Sequence, residues 1–169
     1  FFFDMRRNER DGNDYVNAIV LDPVTLLPTP FATTVLVPFR STNFSIRSDY
    51  LATKQHTIGV QFRHSENDTL RSSGNAFTLP ERGTNSSWRE DTLRFSLTTI
   101  ASERAVNELR IQLSRRNSRS RAISDEVAIN VLDSFNGGGS QAFTDNSNEN
   151  LDLNDNITYT YKNHTFKAG

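Results

Sequence analysis

Residues 42–68 constrain the fold more than any other stretch, because they alternate twice. In TNFSIRSDYLATKQHTIGVQFRHSEND, Phe44, Ile46, Tyr50 and Ala52 fall on even positions and Asn43, Ser45, Arg47 and Asp49 on odd ones. That two-residue period gives a strand one apolar face. Beyond the polar Thr53, Lys54 and Gln55 the alternation resumes, with Ile58, Val60 and Phe62 apolar and Thr57, Gln61 and Arg63 polar. Setting Ala52 opposite His56 brings Tyr50 against Ile58 and Ile46 against Phe62, so both apolar rows share a face and the stretch reads as a β-hairpin of defined register. Each arm runs about 10 to 12 residues, whereas soluble strands centre on about 5 to 6 and a tilted strand crossing a bilayer needs about 9 to 11. Arm length therefore points toward a membrane barrel.

The pattern recurs. Leu93, Phe95 and Leu97 alternate with Arg94, Ser96 and Thr98; after a turn at Ser102, Glu103 and Arg104, Leu109, Ile111 and Leu113 alternate with Arg110, Gln112 and Ser114. Pairing Ala101 with Ala105 brings Leu97 opposite Leu109 and Phe95 opposite Ile111. A third hairpin starts near Leu151, where Ile157, Tyr159 and Tyr161 alternate with polar neighbours; Lys162-Asn163 forms its turn, with Asn tolerating positive φ.

The intervening stretches look irregular. Residues 1–4 read as the end of a strand, and 6–14 (RRNERDGND) as a charged turn around Asp11-Gly12. Residues 15–21 read as a short strand. Prolines 23, 28, 30 and 38 make 22–38 an extended loop, since each removes a ladder donor. Residues 69–87 and 134–150 read as long loops, 115–121 (RRNSRSR) as solvated coil, and 122–132 as a short strand. Tight turns thus collect at one end of the sheet and long connections at the other, the asymmetry of outer-membrane barrels. Tyr50, Tyr159, Tyr161 and Phe166 near the tight turns, and Trp88 where a long loop re-enters a strand, fit aromatic belts at two membrane boundaries.

Composition excludes other classes. The net charge is −1 with scattered basic residues, which does not suggest a nucleic-acid groove. The chain has no Cys and three separated His, so thiolate chemistry is absent and a metal cluster is not expected. Low mean hydropathy and the lack of a long apolar run speak against a membrane helix but suit an alternating barrel. The opening FFFDM, without initiator Met or signal peptide, reads as an excised piece. Residues 145–155 (DNSNENLDLND) lack the spacing of a calcium loop and read as solvated loop. Five Asn-X-Ser/Thr sequons, at Asn43, Asn67, Asn85, Asn156 and Asn163, are attributed to chance in an Asn-rich chain. With no GxSxG elbow, no nucleophilic enzyme is expected.

The segments at 43–68, 106–117 (VNELRIQLSRRN) and 154–169 (NDNITYTYKNHTFKAG) resemble barrel strands of TonB-dependent outer-membrane receptors. FFFDMRRNERDG resembles a phrase of the subtype that carries a carboxypeptidase-regulatory-like domain. The resemblance implies a bacterial outer-membrane location and energised uptake of a small ligand such as a siderophore or carbohydrate. It also implies partners: membrane lipid, the receptor's own plug, and the TonB complex through an N-terminal region. Plug and TonB-contacting segment are absent from these residues, and Asn163 replaces the Gly-Lys turn of many relatives.

The expected fold is all-β: an antiparallel up-and-down meander over residues 1–169, part of one transmembrane β-barrel left open, with long outer loops. Arg47, Asp49, Arg63, Arg94, Glu108 and Arg110 are expected on its polar face, as a hydrated lumen wall of paired charges. No cofactor, metal or nucleic-acid partner is expected. The alternative from another class is a secreted β-sandwich that binds carbohydrate or mediates adhesion.

Overall fold

The computed structural model describes residues 1–72 and 75–169. Their architecture is all-β: β1 (Phe2–Leu21), β2 (Pro28–Leu51), β3 (His56–Ser72), β4 (Thr84–Ser102), β5 (Ala105–Ala122), β6 (Ile129–Val131), β7 (Phe135–Gly137), β8 (Phe143–Tyr161) and β9 (His164–Ala168). A 3₁₀ turn, Pro80–Arg82, lies in the β3–β4 connection. Seven strands form one antiparallel sheet in the order β1-β2-β3-β4-β5-β8-β9, and β6-β7 is a separate small hairpin. Spatial order follows sequence order, and the sheet is open, with β1 and β9 at its edges.

The hairpin registers follow from alternation. Ile46 lies opposite Phe62 and Tyr50 opposite Ile58; Phe95 lies opposite Ile111 and Leu97 opposite Leu109. At the second turn the register slips, so Ser102 rather than Ala101 faces Ala105. At the third turn the positive φ belongs to Lys162 (52°), not to Asn163.

The strands are far longer than alternation suggests, which corrects several expectations. Residues 6–14 are not a turn but the middle of the 20-residue β1; 115–121 belong to β5, and 143–150 to β8, which also absorbs the acidic 145–155 stretch. Residues 69–72 and 84–87 extend β3 and β4, and Ser73 and Gly74 of the expected loop lie outside the described residues. Of 122–132, only Ile129–Val131 is a strand beyond the end of β5. In these extensions both faces are polar, so no apolar period marks them; the backbone ladder and cross-strand pairs hold them instead.

The proline-rich stretch is strand as well. Ile19 N donates to Ser134 O (3.2 Å), away from β2, so the Ile19–Pro30 pair is a non-hydrogen-bonded one. Pro28 and Pro38 share Pro30's parity, and β3 joins β2 only from Phe39 onward. All three missing donors therefore fall on the side where no ladder is waiting. The β1–β2 reversal lies at Asp22-Pro23-Val24-Thr25. There Asp22 Oδ1 accepts from Val24 N (2.9 Å), Thr25 N (2.7 Å) and Thr25 Oγ1 (3.0 Å). These three donors hold the Asp22 carboxyl below its ordinary pKa, with the Thr25 amide the largest influence.

A small apolar core sits at the long-loop end: Val16, Ala18 and Val35, packed by Phe31, Leu79 and Phe135. Val16 and Ala18 lie on the even face of β1 and Val35 on the odd face of β2, so the two connections that supply Leu79 and Phe135 fold onto one side of the sheet. Those connections are joined to each other by Leu79 N to Asn136 O (2.9 Å) and Asn136 N to Phe77 O (2.8 Å). They also reach the β1 edge, where Asn17 N donates to Ala76 O (2.7 Å).

Candidate functional site

The register sorts the sheet into two unlike faces. Odd residues of β2 and β3 and even residues of β4, β5 and β8 share one face, because each pair of facing residues projects to the same side. All six charged residues singled out from the sequence lie on it. Arg47, Gln61, Arg94, Gln112 and Asp152 form one row across five strands; Asp49, Gly59, Ser96, Arg110 and Asn154 form the next. Arg63 lies between Ser45 and Thr92, and Glu108 between Thr98 and Asn156.

Five of the six are satisfied locally. Arg47 grips Asp49 through Nε (2.9 Å to Oδ2) and Nη2 (2.9 Å to Oδ1), and Arg110 Nη2 donates to Glu108 Oε2 at 2.9 Å. Both pairs are two residues apart on one strand, side by side on its face. Arg94 donates across the ladder to Gln112 Oε1 through Nε (3.1 Å) and Nη2 (2.7 Å). Gly59 makes room for this lattice: a Cβ there would lie 2.4 Å from Ser96 Oγ and 3.0 Å from Asp49 Oδ1. Arg47, Arg94, Glu108 and Arg110 line a polar concavity of about 730 Å³. Arg63 borders a smaller adjoining one with Glu90, Thr92 and Arg94, and Asp49 lines neither. Such a wall can hydrogen-bond water, a polar ligand or a polar domain. Among the described residues no group of His, Asp and Glu is placed to hold a metal ion.

The opposite face carries Phe3, Ile46, Phe62, Leu93, Leu113 and Leu151 in one row, and Val60, Phe95, Ile111 and Leu153 in the next. Many are open to solvent, with Ile46 48%, Leu113 50%, Leu151 67% and Leu153 70% exposed. Towards the long loops the apolar rows stop abruptly at His64, Asp91, Arg115 and Glu149, with His64 Nδ1 2.6 Å from Asp91 Oδ1. Phe44 stacks on His64 at 5.1 Å between ring centroids. The following rows are laced by Glu66–Arg89 and by Arg119–Asp145 at 3.3 Å. This charged ladder escaped sequence reasoning because its members lie in stretches with two polar faces.

The chain matches no family model, no curated protein and no solved structure. Tyr50, Tyr159, Tyr161 and Phe166 lie on the apolar face near the tight turns. Trp88 does not join them: it pairs with Asn67 and Ser118 on the polar face, which corrects its expected place among the apolar-face aromatics. Trp88 shares the even parity of Arg94 on β4, which is the signal in the sequence that sets its face.

Proposed function

We propose that this chain is a wall segment of a TonB-dependent receptor barrel in a bacterial outer membrane, serving energised uptake of a small ligand. The observation that carries the reading is the exposed apolar band of an open meander, bounded by charge. On β4 the stretch from Asp91 to the turn at Ser102 is about 11 residues and carries Leu93, Phe95, Leu97, Thr99 and Ala101 on this face, with Asp155 beside Leu109 and His56 and Asn107 beside Thr99 as its polar members toward the turns. At about 3.4 Å per residue and a tilt of about 40° this rises about 28 Å, close to the apolar belt of about 25 Å in outer-membrane barrels. A band of that height suits lipid contact, and the charged rows beyond it suit the aqueous side.

In this reading the polar face lines the lumen and meets the receptor's plug and its ligand, while the TonB complex engages a region outside these residues. The paired charges keep the wall hydrated without binding an ion tightly. A soluble sandwich instead requires a second sheet over the apolar face, and none of the described residues supplies one.

Single spin labels along residues 93–98 of the reconstituted full-length protein test the reading. Odd positions should collide with oxygen and even positions with a water-soluble nickel chelate. Equal access to the chelate at both parities overturns the membrane assignment.

A further inference from the structure

The polar wall changes chemistry along its length. Its middle rows are ionic. Nearer the long loops, one row runs Asn8, Ser41, Asn67, Trp88, Ser118 and Asn146 across six strands. The row beyond it is rich in hydroxyls, with Phe39 its aromatic member and the Ser86 and Ser120 hydroxyls 3.1 Å apart. Carboxamides and hydroxyls both donate and accept, so this zone presents mixed hydrogen-bonding capacity, its one charge in these two rows being Arg10 on the β1 edge, stacked over Phe39 and three strands from Trp88.

Trp88 is out of place for a merely structural residue. It is the chain's only tryptophan, and every other member of its row is Asn or Ser. Its ring is flanked by Arg116, whose guanidinium carbon lies 5.7 Å from the ring centroid. Glu90 fixes that guanidinium at 2.6 Å and neutralises it. The arrangement holds an indole on a hydrated wall without offering an unpaired cation to an anionic ligand.

We propose that this row is a binding subsite for a neutral carbohydrate, with Trp88 as its stacking platform. A pyranose has an apolar face of weakly positive C–H groups, which the negative face of an indole attracts. Its rim of hydroxyls needs partners that donate and accept in turn, which Asn67, Ser118 and Asn146 supply. The inference rests on the receptor reading, since only there does this wall face a channel.

The test uses the full-length protein in lipid nanodiscs, titrated calorimetrically with malto-, cello- and xylo-oligosaccharides. At least one series should bind; Trp88→Ala should weaken it about tenfold, and Trp88→Phe, which keeps a ring, about threefold or less. Asn67→Ala should also weaken it, without loss of folded protein. Binding unchanged in Trp88→Ala, or no binding of any series, overturns the proposal. A second readout separates this failure from failure of the receptor reading: the fluorescence lost in Trp88→Phe should be quenched by iodide and spared by brominated lipid. Iodide quenching without sugar binding refutes the subsite alone, whereas quenching by brominated lipid refutes the orientation of the wall.

Discussion

Placing a charge at successive positions of β4 tests the lipid-facing assignment most directly. Leu97 lies between Ile58 and Leu109 on the apolar face, and its neighbour Thr98 lies on the polar face beside Glu108. With Asp91 taken as the upper boundary, Leu97 sits about 15 Å below it along the barrel normal, near the middle of the band, and Leu93 only about 5 Å below. Leu97→Arg should therefore cost about 2 to 4 kcal/mol, and Leu93→Arg about 0 to 1 kcal/mol, because the penalty falls toward the interface. Thr98→Arg sets a guanidinium opposite Glu108, a cross-strand pair worth about 0.2 to 1 kcal/mol in favour of the fold. Folding free energies come from urea titration of the full-length protein into bilayers, followed by tryptophan emission and gel mobility. The informative result is the gradient. In a soluble sandwich the cost follows packing rather than depth, so equal losses at 93 and 97 would refute the reasoning, as would an equal loss for Leu97→Arg and Thr98→Arg.

Residues 1–169 expressed alone should self-associate through the open β1 and β9 edges; a monodisperse, detergent-free monomer by light scattering would contradict the open-barrel reading. Val16→Ala should cost about 1 to 2 kcal/mol of local stability and release the docked connections. Hydrogen exchange should then speed up at the Asn17 and Ile19 amides, which donate to Ala76 and Ser134; unchanged exchange would mean that the core does not hold them. Because the folded-state pKa of Asp22 is depressed, its anchoring of the β1–β2 turn is complete above the ordinary carboxyl range and is lost as pH falls through the depressed value. A carboxyl NMR titration should place its midpoint below that of an unfolded peptide, and Asp22→Asn should remove the pH dependence of the turn.

The three hairpins were legible in the sequence because each has one wet and one apolar face, and a period of two then leaves a single register that keeps both apolar rows together. The same period placed Arg47, Asp49, Arg63, Arg94, Glu108 and Arg110 on one face, since a strand cannot turn one of them over without turning all. Only the tertiary structure decided where the strands end. Residues 6–14, 115–121 and 143–150 have no apolar period, because water reaches both their faces, and they are strands because a neighbour already in register supplies the ladder. Pro28, Pro30 and Pro38 read as breakers until the β1 pairing showed that their missing donors face away from it. Trp88 belongs to the same class: its identity was plain from the start, but its face, and the row of carboxamides and hydroxyls around it, exist only once six strands lie side by side.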